Sequence, residues 1–154
     1  GLIRFMAITV TLLSILGIPQ GDLRGNGTTK IEETIECWIC VIAAGANIEY
    51  TDQHNNTALV CHARLGKRRC IKALVNAGAN IEAVDQEGNT ALIFATNYKQ
   101  NKLVGLLIEK KANINHANQN GDTATIIATR NNHIEILQKL IHAQDHKILQ
   151  NLPI

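Results

Sequence analysis

Aromatic side chains are scarce in this chain of 154 residues: one Trp, two Tyr and two Phe, 3% of the whole. Binders of single-stranded nucleic acid stack bases on aromatic rings, so that function class has no platform here. An excess of one charge is lacking too. Fifteen Lys and Arg stand against 13 Asp and Glu, a formal net charge of +2, which generates no strong field for polyanions. Four cysteines fall short of the density of a disulfide scaffold. The length excludes a barrel or two nucleotide-binding halves, yet it suffices for one domain with a real core. With 45% hydrophobic and 18% charged residues, the chain has the composition of a folded domain rather than a disordered one.

What is present is repetition. Ala44-Gly45-Ala46-Asn47-Ile48-Glu49 recurs unchanged 33 positions later as Ala77-Gly78-Ala79-Asn80-Ile81-Glu82, and after 33 more as Lys110-Lys111-Ala112-Asn113-Ile114-Asn115. The following blocks keep step: DQHNNTAL from Asp52, DQEGNTAL from Asp85 and NQNGDTAT from Asn118. A fixed period in this range means stacked supersecondary units, none of which buries its apolar face alone.

Local chemistry defines one unit. Asp85-Gln86-Glu87-Gly88-Asn89 is turn-forming, with Gly88 free to take positive φ. Thr90 stands where a helix N-cap belongs. A short apolar helix is expected over Ala91 to Tyr98, broken by Lys99-Gln100-Asn101. A second helix is expected from about Lys102 to Lys110, with Leu103, Leu106, Leu107 and Lys110 at i, i+3, i+4, i+7 spacing. Gly45 and Gly78 follow second helices, where a left-handed residue commonly ends the helix. Lys111 holds that place in the next unit, and its C-cap is expected to be less comfortable.

On the period, the Thr-Ala-Leu segments and the Ala-Gly-Ala-Asn-Ile closes, the chain resembles the ankyrin-repeat family from roughly Ile35 to Ile141. The resemblance implies an all-α solenoid in which each unit is a β-hairpin turn plus two antiparallel helices. Three complete units fall at 52–84, 85–117 and 118–146, within a span of 52–146. Residues 20–51 read as a shortened, degenerate N-terminal repeat with Trp38 as its large ring, and 147–154 as a C-terminal tail. The family's His is replaced by Val60, Ile93 and Ile126, its Pro by Ala58, Ala91 and Ala124, and His62 stands where a small Ala is preferred. Looser hairpin-to-helix hydrogen bonding is expected in consequence.

From Phe5 to Gly21 the chain carries no charge. Residues 1–19 are thus an apolar segment, either a helix covering the first repeat or a signal-like sequence; Gly17 and Pro19 cut it short as a membrane span. Gly21 to Lys30 superficially suggests a phosphate loop, but Lys30 comes after the threonines, against the order such a loop requires. Cys37 and Cys40 form a CxxC, with Cys61 and Cys70 downstream. Cys37 and Cys70 are one period apart, among positions held elsewhere by Leu103 and Ile136. They are therefore expected to be buried free thiols acting as small hydrophobes, not zinc ligands, and free thiols point to a reducing compartment. His142 and His146, with Asp145 between, make a solvated helix end rather than a metal site. Lys67-Arg68-Arg69 reads as a basic loop between helices, solvated by default. No spacing suggests a catalytic triad or paired carboxylates.

The expectation is a non-enzymatic protein–protein interaction module without cofactor, metal, small-molecule substrate or nucleic acid, binding another protein on its concave hairpin and first-helix face. A cytoplasmic location is expected, with secretion or translocation into a host as the alternative, and membrane involvement only if residues 1–19 act as signal or anchor. Rival readings are an exported or membrane-anchored host-interaction factor and a regulatory piece of a larger enzyme. The family resemblance implies that hairpin tips and the exposed side of the first helix touch the partner. Those positions are Thr51, Gln53, His54, Asn56, Arg64 and Leu65 in the first complete unit. They recur as Val84, Gln86, Glu87, Asn89, Asn97 and Tyr98, then as Ala117, Gln119, Asn120, Asp122, Arg130 and Asn131. Arg64, Tyr98 and Arg130 stand out, because Tyr and Arg are enriched in binding hot spots; they are expected to line one strip.

Overall fold

The computed structural model describes residues 48, 49, 51 and 54–153. The readings placed on residues 1–47, among them the apolar segment, Trp38 and the CxxC, lie outside the described residues, as does Gln53. Within the described residues the helices run in order α1 Ala58–Leu65, α2 Arg68–Asn76, α3 Ala91–Asn97, α4 Asn101–Glu109, α5 Ala124–Arg130 and α6 Ile134–Gln150.

Each unit is punctuated by the same three devices. A threonine in extended conformation caps the first helix: the hydroxyls of Thr57, Thr90 and Thr123 accept from the N–H groups of Val60, Ile93 and Ile126 at 3.3–3.4 Å. A left-handed residue then ends that helix: Gly66, Lys99 and Asn132 have φ of 72°, 55° and 57°. One residue further on, the N–H groups of Lys67, Gln100 and His133 close back onto the carbonyls of His62, Ala95 and Ala128, which fixes the antiparallel start of the second helix. The second helix ends on Gly78 at φ 97° and on Lys111 at φ 67°. Lys111 is thus the strained cap that its residue type foretold. At the equivalent Gln144 no such break occurs, and α6 runs 17 residues, continuing through 147–150 where a tail was expected.

First helices stack on first helices and second on second, α1 on α3 on α5 and α2 on α4 on α6. The core between them is Leu59, Val60, Ala63, Ile71 and Leu74, then Leu92, Ala95, Leu103, Val104 and Leu107, then Ala128, Ile136 and Leu140, all nearly solvent-free. Ala95 and Ala128 are 0% exposed, their small side chains admitting the neighbouring helix closely. Each buried Leu or Ile contributes on the order of 1.5–3 kcal/mol, so a unit is held chiefly by its neighbours.

Several expectations are corrected. The β-hairpins are not built as strands: among the described residues there is no strand. The turns that form the fingers of the second and third units each show one rung, Asp85 N–H to Asn89 O at 3.2 Å and Asn118 N–H to Asp122 O at 3.0 Å. The reason is local, since side-chain carbonyl and carboxylate oxygens take the N–H groups a longer ladder would use. The basic triplet is not a loop either, because Arg68 and Arg69 occupy the first turn of α2, where cations oppose the helix dipole. Cys70 is buried, at 1% exposure, but it is disulfide-bonded. It is therefore not the free thiol expected, and it gives no argument for a reducing compartment. Half-buried Cys61 is in no disulfide. No described helix is long and apolar enough to cross a membrane.

Candidate functional site

The fingers are shaped by their own side chains. Asp85 Oδ1 accepts from the N–H groups of Glu87 and Asn89 at 3.0 and 2.8 Å, and Asn118 Oδ1 accepts from those of Asn120 and Asp122 at 3.0 Å each. Such turns reverse the chain in five residues, with Gly88 and Gly121 at φ 80° and 79° where other residues are strained. Asn55 takes the same place in the first finger at φ 62°, a conformation asparagine tolerates better than most.

Neighbouring fingers are tied to one another laterally. Gln119 donates from its backbone to Glu87 O at 3.0 Å and from its side chain to Gln86 O at 2.7 Å. Asn118 Nδ2 donates to Asn89 Oδ1 at 2.9 Å. His116 Nε2 reaches Gly88 O at 2.8 Å, and since a carbonyl only accepts, the proton sits on Nε2. The positions of the missing histidine are used differently: Val60 and Ile93 are buried at 0% and 3% between units, while Ile126 in the last unit is 43% exposed.

On the first helices the structure joins side chains from two units. The Arg64 guanidinium lies over the Phe94 ring, 5.5 Å from its centroid. Phe94 in turn stacks on Tyr98, with centroids 6.4 Å apart and planes 6° apart. Arg64 also approaches Asp85 at 3.9 Å, its side chain about half exposed. Cation–π and stacking contacts of this kind are worth about 0.5–1.5 kcal/mol each, enough to hold the exposed groups in place before anything binds. Tyr98 at 53% and Leu65 at 68% exposure flank this cluster. It is an apolar and cationic surface presented by rigid helices.

Arg130 is placed differently. It makes a two-pronged contact with Asp122, NH2 to Oδ1 at 2.6 Å and NH1 to Oδ2 at 3.0 Å. Those hydrogen bonds hold the Asp122 carboxyl below its ordinary range, against a smaller opposing effect of desolvation, and they raise Arg130. Between this pair and the aromatic cluster, Asn131 Nδ2 donates to Asn97 Oδ1 at 3.3 Å. Asn97 and Asn131 are thus joined across the two units.

The remaining candidates divide by burial. His54, Gln86, Glu87, Asn97, Ala117, Gln119, Asn120 and Asn131 are exposed, Val84 is at 36%, and Thr51 is half-buried. Asn56 is a correction: at 5% exposure it faces inward and leaves the candidate face. Asn89 and Asp122 are half-buried and committed to the fingers' own bonds. Gln119 is exposed but serves as a lateral tie. Sequence reasoning missed Phe94, which at 8% exposure reads as core, aligned as it is with Cys61 and Ile127. Its signal was the i, i+4 spacing to Tyr98 on one short helix. Among the described residues no group of three His, Cys, Asp or Glu is placed to hold a metal ion.

The family model described as ankyrin repeats (3 copies) matches the chain over residues 30–118 and again over 78–151. No curated protein matches the chain significantly.

Proposed function

Because the chain belongs to the ankyrin-repeat family, whose members are in general protein–protein interaction modules, we propose that it binds a protein partner through its fingers and first helices. The observation that carries this reading is the Arg64–Phe94–Tyr98 cluster beside exposed Leu65. It supplies an aromatic, an arginine and an aliphatic side chain on one pre-ordered surface, the residue types that dominate binding energy. Fingers tied edge to edge flank it with amide groups suited to hydrogen-bond a partner's backbone. The domain itself performs no chemistry; its task is to hold a partner in place.

The test begins with a photo-reactive residue at Leu65 to capture the partner, which is then titrated against variants. Tyr98→Ala is expected to weaken binding by roughly 1–3 kcal/mol while the melting temperature barely moves. Arg64→Ala should lose affinity mainly at low salt, as screened charges do. Wild-type affinity in Tyr98→Ala, or an unfolded protein, would overturn the assignment.

A further inference from the structure

Helix α6 breaks the repeat in a way that creates a second surface. After α2 and α4 the chain leaves the helix at Gly78 and Lys111, both at positive φ. One period on, Gln144 stays helical, and α6 extends to Gln150. The extra turns run beside the exit loop of the preceding unit, where Gln144 Nε2 donates to Asn115 Oδ1 at 2.6 Å. Helix and loop enclose a groove of about 770 Å³ with walls from α4, residues 111–114 and α6. No finger or first helix contributes to it.

Its chemistry is two-layered. Ile108, Ile114 and Ala143 give an apolar lining, while Lys111, Lys139, Lys147 and two imidazoles stand around it against one acid, Glu109. Lys139 is already engaged by Glu135 and Asn101 O, which leaves Lys111 and Lys147 as the available cations. Lys111 sits at φ 67°, where the preceding unit places Gly78, so the exchange of glycine for lysine at this turn sets a cation at the groove edge.

We propose that this groove docks an acidic segment of a protein partner, anchored by an apolar side chain, separately from the finger face. Charge complementarity selects the acidic strand or helix, and the isoleucine lining selects one that also carries leucine-like residues.

The test uses the whole chain and a short fluorescein-labelled peptide of Glu and Leu in helical register, read by anisotropy. Three comparisons accompany it: the same peptide with Lys for Glu, polyglutamate without Leu, and phosphatidylserine vesicles. The Glu/Leu peptide is expected to bind and to weaken about tenfold in Lys111→Glu and in Lys147→Glu, and to weaken as salt rises toward ~0.3 M. Lys111→Gly should raise the melting temperature yet weaken the peptide, a divergence that a purely structural lysine would not produce. Tyr98→Ala should leave this binding unchanged, so failure here is distinguishable from failure of the finger-face reading. The proposal is overturned if the Glu/Leu peptide does not bind, or if the Lys peptide or polyglutamate binds equally well. Preference for the vesicles, which would mark a membrane surface instead, overturns it too.

Discussion

Replacing Thr90 tests how the stack is held. Its hydroxyl accepts from Ile93 N–H at 3.4 Å, and the residue is 2% exposed in the middle unit. Alanine removes the acceptor, leaving a buried N–H without it, at a cost of about 1 kcal/mol. It also deletes a buried methyl group, adding about 0.8 kcal/mol. Valine keeps the methyl and the volume, so Thr90→Val isolates the cap. Equilibrium urea unfolding is the assay: the unfolding free energy should fall by about 2 kcal/mol for Thr90→Ala and about 1 kcal/mol for Thr90→Val, read as a lower midpoint with the slope staying constant. Thr123→Ala should cost less than Thr90→Ala, because Thr123 is only half-buried and its unit has one described neighbour where the middle unit has two. A Thr90→Val midpoint equal to wild type would refute the reasoning, showing that the hydroxyl contributes nothing to holding α3.

Two further tests address the fingers. Since Arg130 holds the Asp122 carboxyl low, the pair contributes stability above the ordinary carboxylate range that is lost as pH falls through the depressed folded value. Thermal melts between about pH 5 and pH 2 should therefore decline more steeply in the wild type than in Asp122→Asn, and parallel curves would refute the pairing. Gly88 and Gly121 share a positive φ, but a methyl on Gly88 would lie 3.2 Å from Gln119 N, whereas at Gly121 it meets open space. Gly88→Ala should therefore lower the melting temperature more than Gly121→Ala, and equal losses would show that the lateral contact between fingers is not close.

Much of the fold was legible because it is periodic. The sequence located each helix of the second unit to within a residue at either end, and Thr90 announced the cap that the structure repeats at Thr57 and Thr123. The strain at Lys111 followed from a non-glycine residue at a left-handed position. The finger strands were misjudged because a family pattern does not show where the N–H groups go. Asp85 and Asn118 satisfy them locally instead. The candidate face was read only in outline. The burial of Asn56 and the pairing of Arg130 with Asp122, which joins helix to finger across eight residues of one unit, do not follow from residue type or local spacing.

The unit could be read from one dimension: turn, capped short helix, polar break, longer helix. Those features arise from contacts within about four residues and from a repeating apolar pattern, both visible in one dimension. Which exposed groups are joined depends on the stacked fold. Arg64 meets Phe94 from the next unit, Gln119 reaches back to the previous finger, and Asn131 reaches Asn97. It also decided that α6 continues where the two earlier second helices stop, opening a groove against the preceding unit. Helix stacking brings residues about 30 positions apart to within hydrogen-bonding distance, and that proximity depends on how one unit seats on the next.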